Sequence, residues 1–291
     1  MEIIIVLGRV LFASFANVFQ KQLTQNEHHP LFIVMASYIV LFIISIPLLL
    51  WVDMNALSPD FWFNISFAAA LDMAGTLFLV LSLSKTDLSI FGPLNAYKVV
   101  ISMLLAMVFL NETPNSQGFL GIAIIIVGSC FLLPRSGKQT KQHRLRHLLI
   151  DKGVQYRFLS ILLFSIGTLP LKNAVMEGQA LATTIFWCLI GLPLAIISHQ
   201  MFKQNSERTL CQQVRPALSH IATLGLMMFL MQYMTMIVLS QMMIAYSLAL
   251  FQLSMVLHVF LGYKLFKEQH IKRRLAACLV MVIGSLLVLK A

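Results

Sequence analysis

The chain has 291 residues, 59% of them hydrophobic and 11% charged, with a formal net charge of +10. Soluble domains carry about 25% charged residues, so this balance excludes a water-soluble globular domain. No connection is long enough to form a basic domain of its own, so no nucleic acid partner is expected. The positive charge falls in short loops between apolar stretches, where the anionic headgroups of a lipid bilayer are the expected partner.

Ten apolar stretches of about 20 residues, each able to cross roughly 30 Å of hydrocarbon, are predicted. They run 2–21, 31–52, 61–83, 88–110, 117–133, 157–175, 180–201, 217–239, 244–266 and 271–290. The first opens Met1-Glu2-Ile3 without the basic region of a secretory leader, and is read as a spanning helix. Arg9 within it has two readings, attraction of an anionic group or snorkelling to the near interface, and the second is the expectation. The third carries Asp72 and the fourth Lys98, at almost equal depth from the loop near residues 85 and 86. Each charge alone in hydrocarbon costs roughly 2.5–3.5 kcal/mol, so a pair or a hydrated cavity is expected. On the fourth stretch Phe91, Asn95, Lys98 and Ser102 fall on one helical stripe. A basic connection, 134–156, follows the fifth stretch and marks a seam between halves. Pro93, Pro170 and Pro193 are candidate hinges. The four cysteines lie at no metal or redox spacing.

The halves correspond. Ser84 and Ser240, Glu112 and Glu268, Gly128 and Gly284, and Ser129 and Ser285 are each 156 residues apart, and Ser14/Ser165 and Lys21/Lys172 are 151 apart. Five helices per half is an odd number, so the second half enters the membrane from the opposite side. The predicted fold is an all-α integral membrane protein of ten transmembrane helices, arranged as two inverted five-helix repeats. The offset of 156 carries the stripe of the fourth stretch onto Ser247, Phe251, Ser254 and His258, and Asp72 and Thr76 onto Met228 and Gln232. The expected substrate-binding set is therefore Asp72, Thr76, Asn95, Lys98, Ser102, Gln232, Phe251, Ser254 and His258. Asp72 and His258 are the candidates for coupling to an ion or proton. Glu112 and Glu268 are read as caps or loop anchors.

Two passages carry a resemblance to a known family: LSIFGPLNAYKVVISMLLAMVFLNETPNSQGFLGIAIIIVGSCFLL and IAYSLALFQLSMVLHVFLGYKLFKEQHIKRRLAACLVMVIGSLLVL. Each has a long apolar helix, a Glu at its end, then a helix closing on Gly-Ser. The pattern resembles the ten-helix EamA-type transporters of the drug/metabolite transporter superfamily. It departs from them where Asn111 and Lys267 replace the Gly that commonly precedes the Glu, and where Lys98 and Val99 occupy a region that often holds Pro. The resemblance implies an EamA-like repeat over 1–133, a linker over 134–156 and a second repeat over 157–291. It also implies a central cavity between the halves, export, and both termini in the cytoplasm. The charges read otherwise. Seventeen Lys and Arg residues lie at the odd-numbered connections, against Lys172 and Lys290 at the termini and even connections, which favours external termini.

The expected function is secondary transport of a small-molecule substrate by alternating access, a polar or zwitterionic metabolite whose carboxylate meets Lys98 and whose amine meets Asp72. Uptake by the same fold, or a lipid-flippase subunit, are the alternatives. There is no nucleotide-binding loop and no nucleophile–base, metal or paired-carboxylate constellation, so neither an enzyme nor a cofactor is expected. A plasma membrane, the inner one in a bacterium, is the expected site.

Overall fold

The computed structural model describes residues 2–109, 115–129, 131, 150–202, 210–242 and 244–289. Glu112, Cys130 and residues 134–149 of the linker lie outside them, as does the side chain of Ser102. Every regular element among the described residues is helical. Helix α1 spans Glu2–Gln25, α2 Pro30–Leu48, α3 Pro59–Leu83, α4 Leu88–Leu94, α5 Tyr97–Phe109 and α6 Ser116–Ser129. Then follow α7 (Lys152–Met201), α8 (Leu210–Gln241), α9 (Ile244–Phe251), α10 (Ser254–Phe266) and α11 (Ile271–Leu289).

Helix starts follow local chemistry. Ser58 caps α3 by accepting from Phe61 N at 3.0 Å, Asp151 caps α7 by accepting from Val154 N at 3.0 Å, and Pro30 and Pro59 take first-turn positions where no N–H is needed. Among the described residues five helices are long and apolar enough to cross a membrane, α7 among them. A straight 50-residue helix would run about 75 Å, more than twice the hydrocarbon thickness. The chain turns instead at Gln179, where φ is 61°. The two stretches predicted at 157–175 and 180–201 are thus the arms of α7. The first arm starts at Lys152, which puts Arg157 inside the helix rather than at the edge of a loop.

The two long stretches at 88–110 and 244–266 are each broken. Asn95 and Ala96 separate α4 from α5, and Gln252 and Leu253 separate α9 from α10. At both breaks the backbone tightens to i→i+3 bonding, as in Lys98 N to Asn95 O (2.9 Å) and Met255 N to Gln252 O (2.9 Å). Pro93 lies inside α4, two residues before the first break, where its missing N–H weakens that short helix. The second break has no proline and meets the first through the Asn95–Gln252 hydrogen bond. Pro170 and Pro193 are accommodated within α7, whose turn lies elsewhere.

The main helix contacts join the halves: α3 packs along α7, α6 against α11, α1 against α8 and α4 against α10. Close approach depends on glycine. A Cβ on Gly284 of α11 would stand 2.9 Å from the Gly121 carbonyl of α6, and one on Gly92 would meet the Cβ of His258. Side chains such as Ile43, Leu50, Trp51 and Phe63 project outward, as a surface facing hydrocarbon requires.

Lys21 and Lys172 do equivalent work. Lys21 Nζ donates to Leu83 O at 2.8 Å and Thr86 O at 2.5 Å, closing the end of α3. Lys172 Nζ donates to Leu239 O and to Met242 O (3.0 Å), closing the end of α8. The acceptors are 156 residues apart and the lysines 151. Lys21 is therefore buried, not a loop charge. Lys21→Met should destabilise by about 2 kcal/mol, since carbonyls that lose a charged donor have no water nearby. Lys172→Met, at a half-buried site, should cost less. Thermal unfolding in detergent compares the two.

Glu268 acts away from its own helix. Its carboxylate accepts from Leu88 N (2.7 Å) and Ser89 N (2.9 Å), capping α4 across the seam between the halves. Arg274 completes the cluster, 3.3 Å from Glu268 and 2.8 Å from Asp87. The preceding residue, Lys267, ends α10 in the left-handed conformation at φ 52°, with ψ 33°. A glycine adopts that conformation without a Cβ penalty, which is a physical reason for Gly at this point of the resembled pattern. Lys267→Gly should raise stability by about 1 kcal/mol in the same unfolding measurement.

Candidate functional site

A cavity of about 150 Å³ lies between the halves, of the order that holds one benzene-sized molecule. Asp72, Thr76, Asn95, Lys98, Gln232, Phe251, Ser254 and His258 all line it. Ser102 cannot be placed, because its side chain lies outside the described residues. The breaks after α4 and α9 bring the stripe together: Asn95 sits at the first and Gln252 at the second, and Asn95 Nδ2 donates to Gln252 Oε1 at 3.4 Å.

Asp72 and Lys98 share the cavity without forming an ion pair within 4.0 Å among the described residues. The Asp72 carboxylate accepts from Trp187 Nε1 at 3.0 Å, from the second arm of α7. Thr76 donates to the Asp72 carbonyl at 2.8 Å, an ordinary within-helix bond. Lys98 Nζ stands 6.0 Å from the Phe164 ring centroid. A permanent structural pair, one of the readings open from sequence, is not what the geometry shows.

Two arginines complete the site. Arg9 was expected to snorkel to the interface, but it turns inward. Its Nε donates to Thr235 Oγ1 at 3.2 Å, and its guanidinium lies 3.7 Å over the Phe251 ring. The ring and the hydroxyl offer a desolvated cation more than hydrocarbon does. Arg157, expected among the loop charges, is 5% exposed. Its Nη2 donates to Asn95 Oδ1 at 3.0 Å, and its guanidinium lies 3.9 Å over Phe91. Phe91 in turn meets the His258 ring edge-on at 6.0 Å. Asn17 Nδ2 lies 2.9 Å from His258 Nε2, so with the amide donating, the ring proton sits on Nδ1.

Part of this was visible earlier. On α1, Arg9, Ala13, Ala16, Asn17 and Gln20 line the cavity at helical spacing, a polar stripe on a spanning helix. Arg157 was hidden by its nearness to the basic linker, and Trp187 carries no polar pattern around it.

Comparison with known proteins gives a family match and a likeness of fold. Residues 1–133 match the EamA-like transporter family. A solved crystal structure superposes with a TM-score of 0.66 at 12% identity, covering 98% of this chain and 94% of that one, a likeness of fold alone. No curated protein matches the sequence.

Proposed function

We propose that this chain, whose residues 1–133 match the EamA-like transporter family, is a secondary transporter of the drug/metabolite transporter type that moves a small polar metabolite by alternating access. The chain is an integral membrane protein of transporter type rather than an enzyme. Its helices form ten spans in two inverted five-helix repeats. The equivalent lysine caps, the two breaks at one register and the pairing of helices across the seam support that arrangement. The observation that carries the function is the cavity itself: charged and amide groups from both halves converge between two broken helices. Rocking of the halves about the breaks would expose that site to each side in turn. Export across a bacterial inner membrane is the proposed direction and place.

The test is reconstitution of the purified protein alone into liposomes loaded with a metabolite extract. Protein-dependent loss of a particular solute, read by mass spectrometry, is expected. Tight liposomes that retain every solute would instead indicate a subunit that needs a partner. The loop charges favour external termini, so a reporter fused at Ala291 that works only in the cytoplasm should stay silent. An active reporter would reverse the orientation.

A further inference from the structure

We infer that the cavity selects a small organic dianion, a dicarboxylate or a phosphate monoester, rather than a zwitterion. The inference rests on the transport site proposed above and names its substrate class. One acid and one base, Asp72 and Lys98, would suit a zwitterion. Arg9 and Arg157 change the balance to three cationic side chains against one carboxylate among the described residues that line the cavity. The carboxylate is also engaged, since Asp72 accepts the Trp187 N–H. One N–H leaves most of its acceptor sites free, so it is the excess of cations that weighs against a zwitterion.

The hydrogen-bonding inventory points the same way. Arg157 Nε and Nη1 have no partner, and neither do the Nε2 groups of Gln232 and Gln252. These four are donors, against one unpaired acceptor on the described lining, Gln20 Oε1. Buried donors left unpaired are costly, and a guanidinium forks naturally onto a carboxylate or phosphate. Phe91 and Phe251 hold the two guanidiniums from behind, which fixes their planes without consuming their N–H groups. An amino acid would offer one carboxylate to three cations and bring an ammonium among them. A dianion balances the site, and a cavity of about 150 Å³ limits it to a few carbons.

The experiment uses the full-length protein in neutral detergent. Its unfolding temperature is followed with succinate, glycerol 3-phosphate, alanine and putrescine at equal ionic strength. One of the two anions should raise it, and which one does separates the dicarboxylate from the phosphate monoester. Alanine and putrescine should not. Arg157→Gln should weaken that anion's binding by about 10- to 100-fold, and Arg9→Gln likewise, as expected for loss of a charge-assisted contact. If these variants fail to fold, the wild-type ranking of the four probes decides the matter alone. Alanine or putrescine stabilising as well as the anions, or neither anion stabilising, overturns the inference. Flux of the bound anion is then measured in phosphatidylcholine liposomes. Binding without flux removes the transport reading and keeps the anion site, whereas alanine flux without anion binding does the reverse.

Discussion

Lys98→Met is expected to lower the proposed flux by about 10- to 100-fold with little loss of stability. The two readouts together distinguish a functional charge from a structural one. The Lys98 ammonium makes no hydrogen bond, and no ion pair within 4.0 Å, among the described residues, and it stands 6.0 Å from the Phe164 ring centroid. An ammonium at that depth costs roughly 2.5–3.5 kcal/mol unless compensated, so an apolar side chain of similar length relieves a penalty. A residue kept for folding would show the opposite pattern. Asp72→Asn is the companion variant. Asparagine keeps an oxygen for the Trp187 N–H and is close in volume, so unfolding should shift little while flux falls. Flux in liposomes and thermal unfolding in detergent give both numbers, and wild-type flux in both variants rejects the site.

Glu268→Ala should cost about 3 kcal/mol of stability, the largest loss expected of any single change considered. The side chain takes two backbone N–H groups at the start of α4 and also neutralises Arg274, which is 4% exposed. Removing it uncaps the helix and leaves a buried guanidinium with only the partly exposed Asp87 for charge compensation. The double variant Glu268→Gln with Arg274→Met should recover much of that loss. A buried pair replaced on both sides is often nearly neutral, whereas one broken on one side is not. Thermal unfolding of Glu268→Gln, Arg274→Met and the double variant gives the coupling. Equal losses in Glu268→Ala and the double variant would mean that the cap, not the ion pair, carries the energy. The cluster bridges the seam between the halves, so the single variant should also alter the balance between the two faces of the transport cycle.

The sequence by itself determined that the chain crosses a membrane, because runs of about 20 apolar residues have no stable place in water. It also showed the correspondence of the halves, since a helix keeps its register and equivalent residues keep their spacing. Helical periodicity placed Asp72, Asn95, Lys98, Gln232, Phe251, Ser254 and His258 on the faces that line the cavity. What periodicity could not supply was depth and partner. Arg9 sits near enough to a helix end to snorkel, and only the nearness of Phe251 and Thr235 turns it inward. Arg157 looks like part of a basic loop until Asp151 caps the helix one turn earlier and carries it into the cavity. The break after Phe251 has no proline to announce it. The charge of the site was thus decided in tertiary structure, where two arginines distant in sequence from Lys98 converge with it between the broken helices.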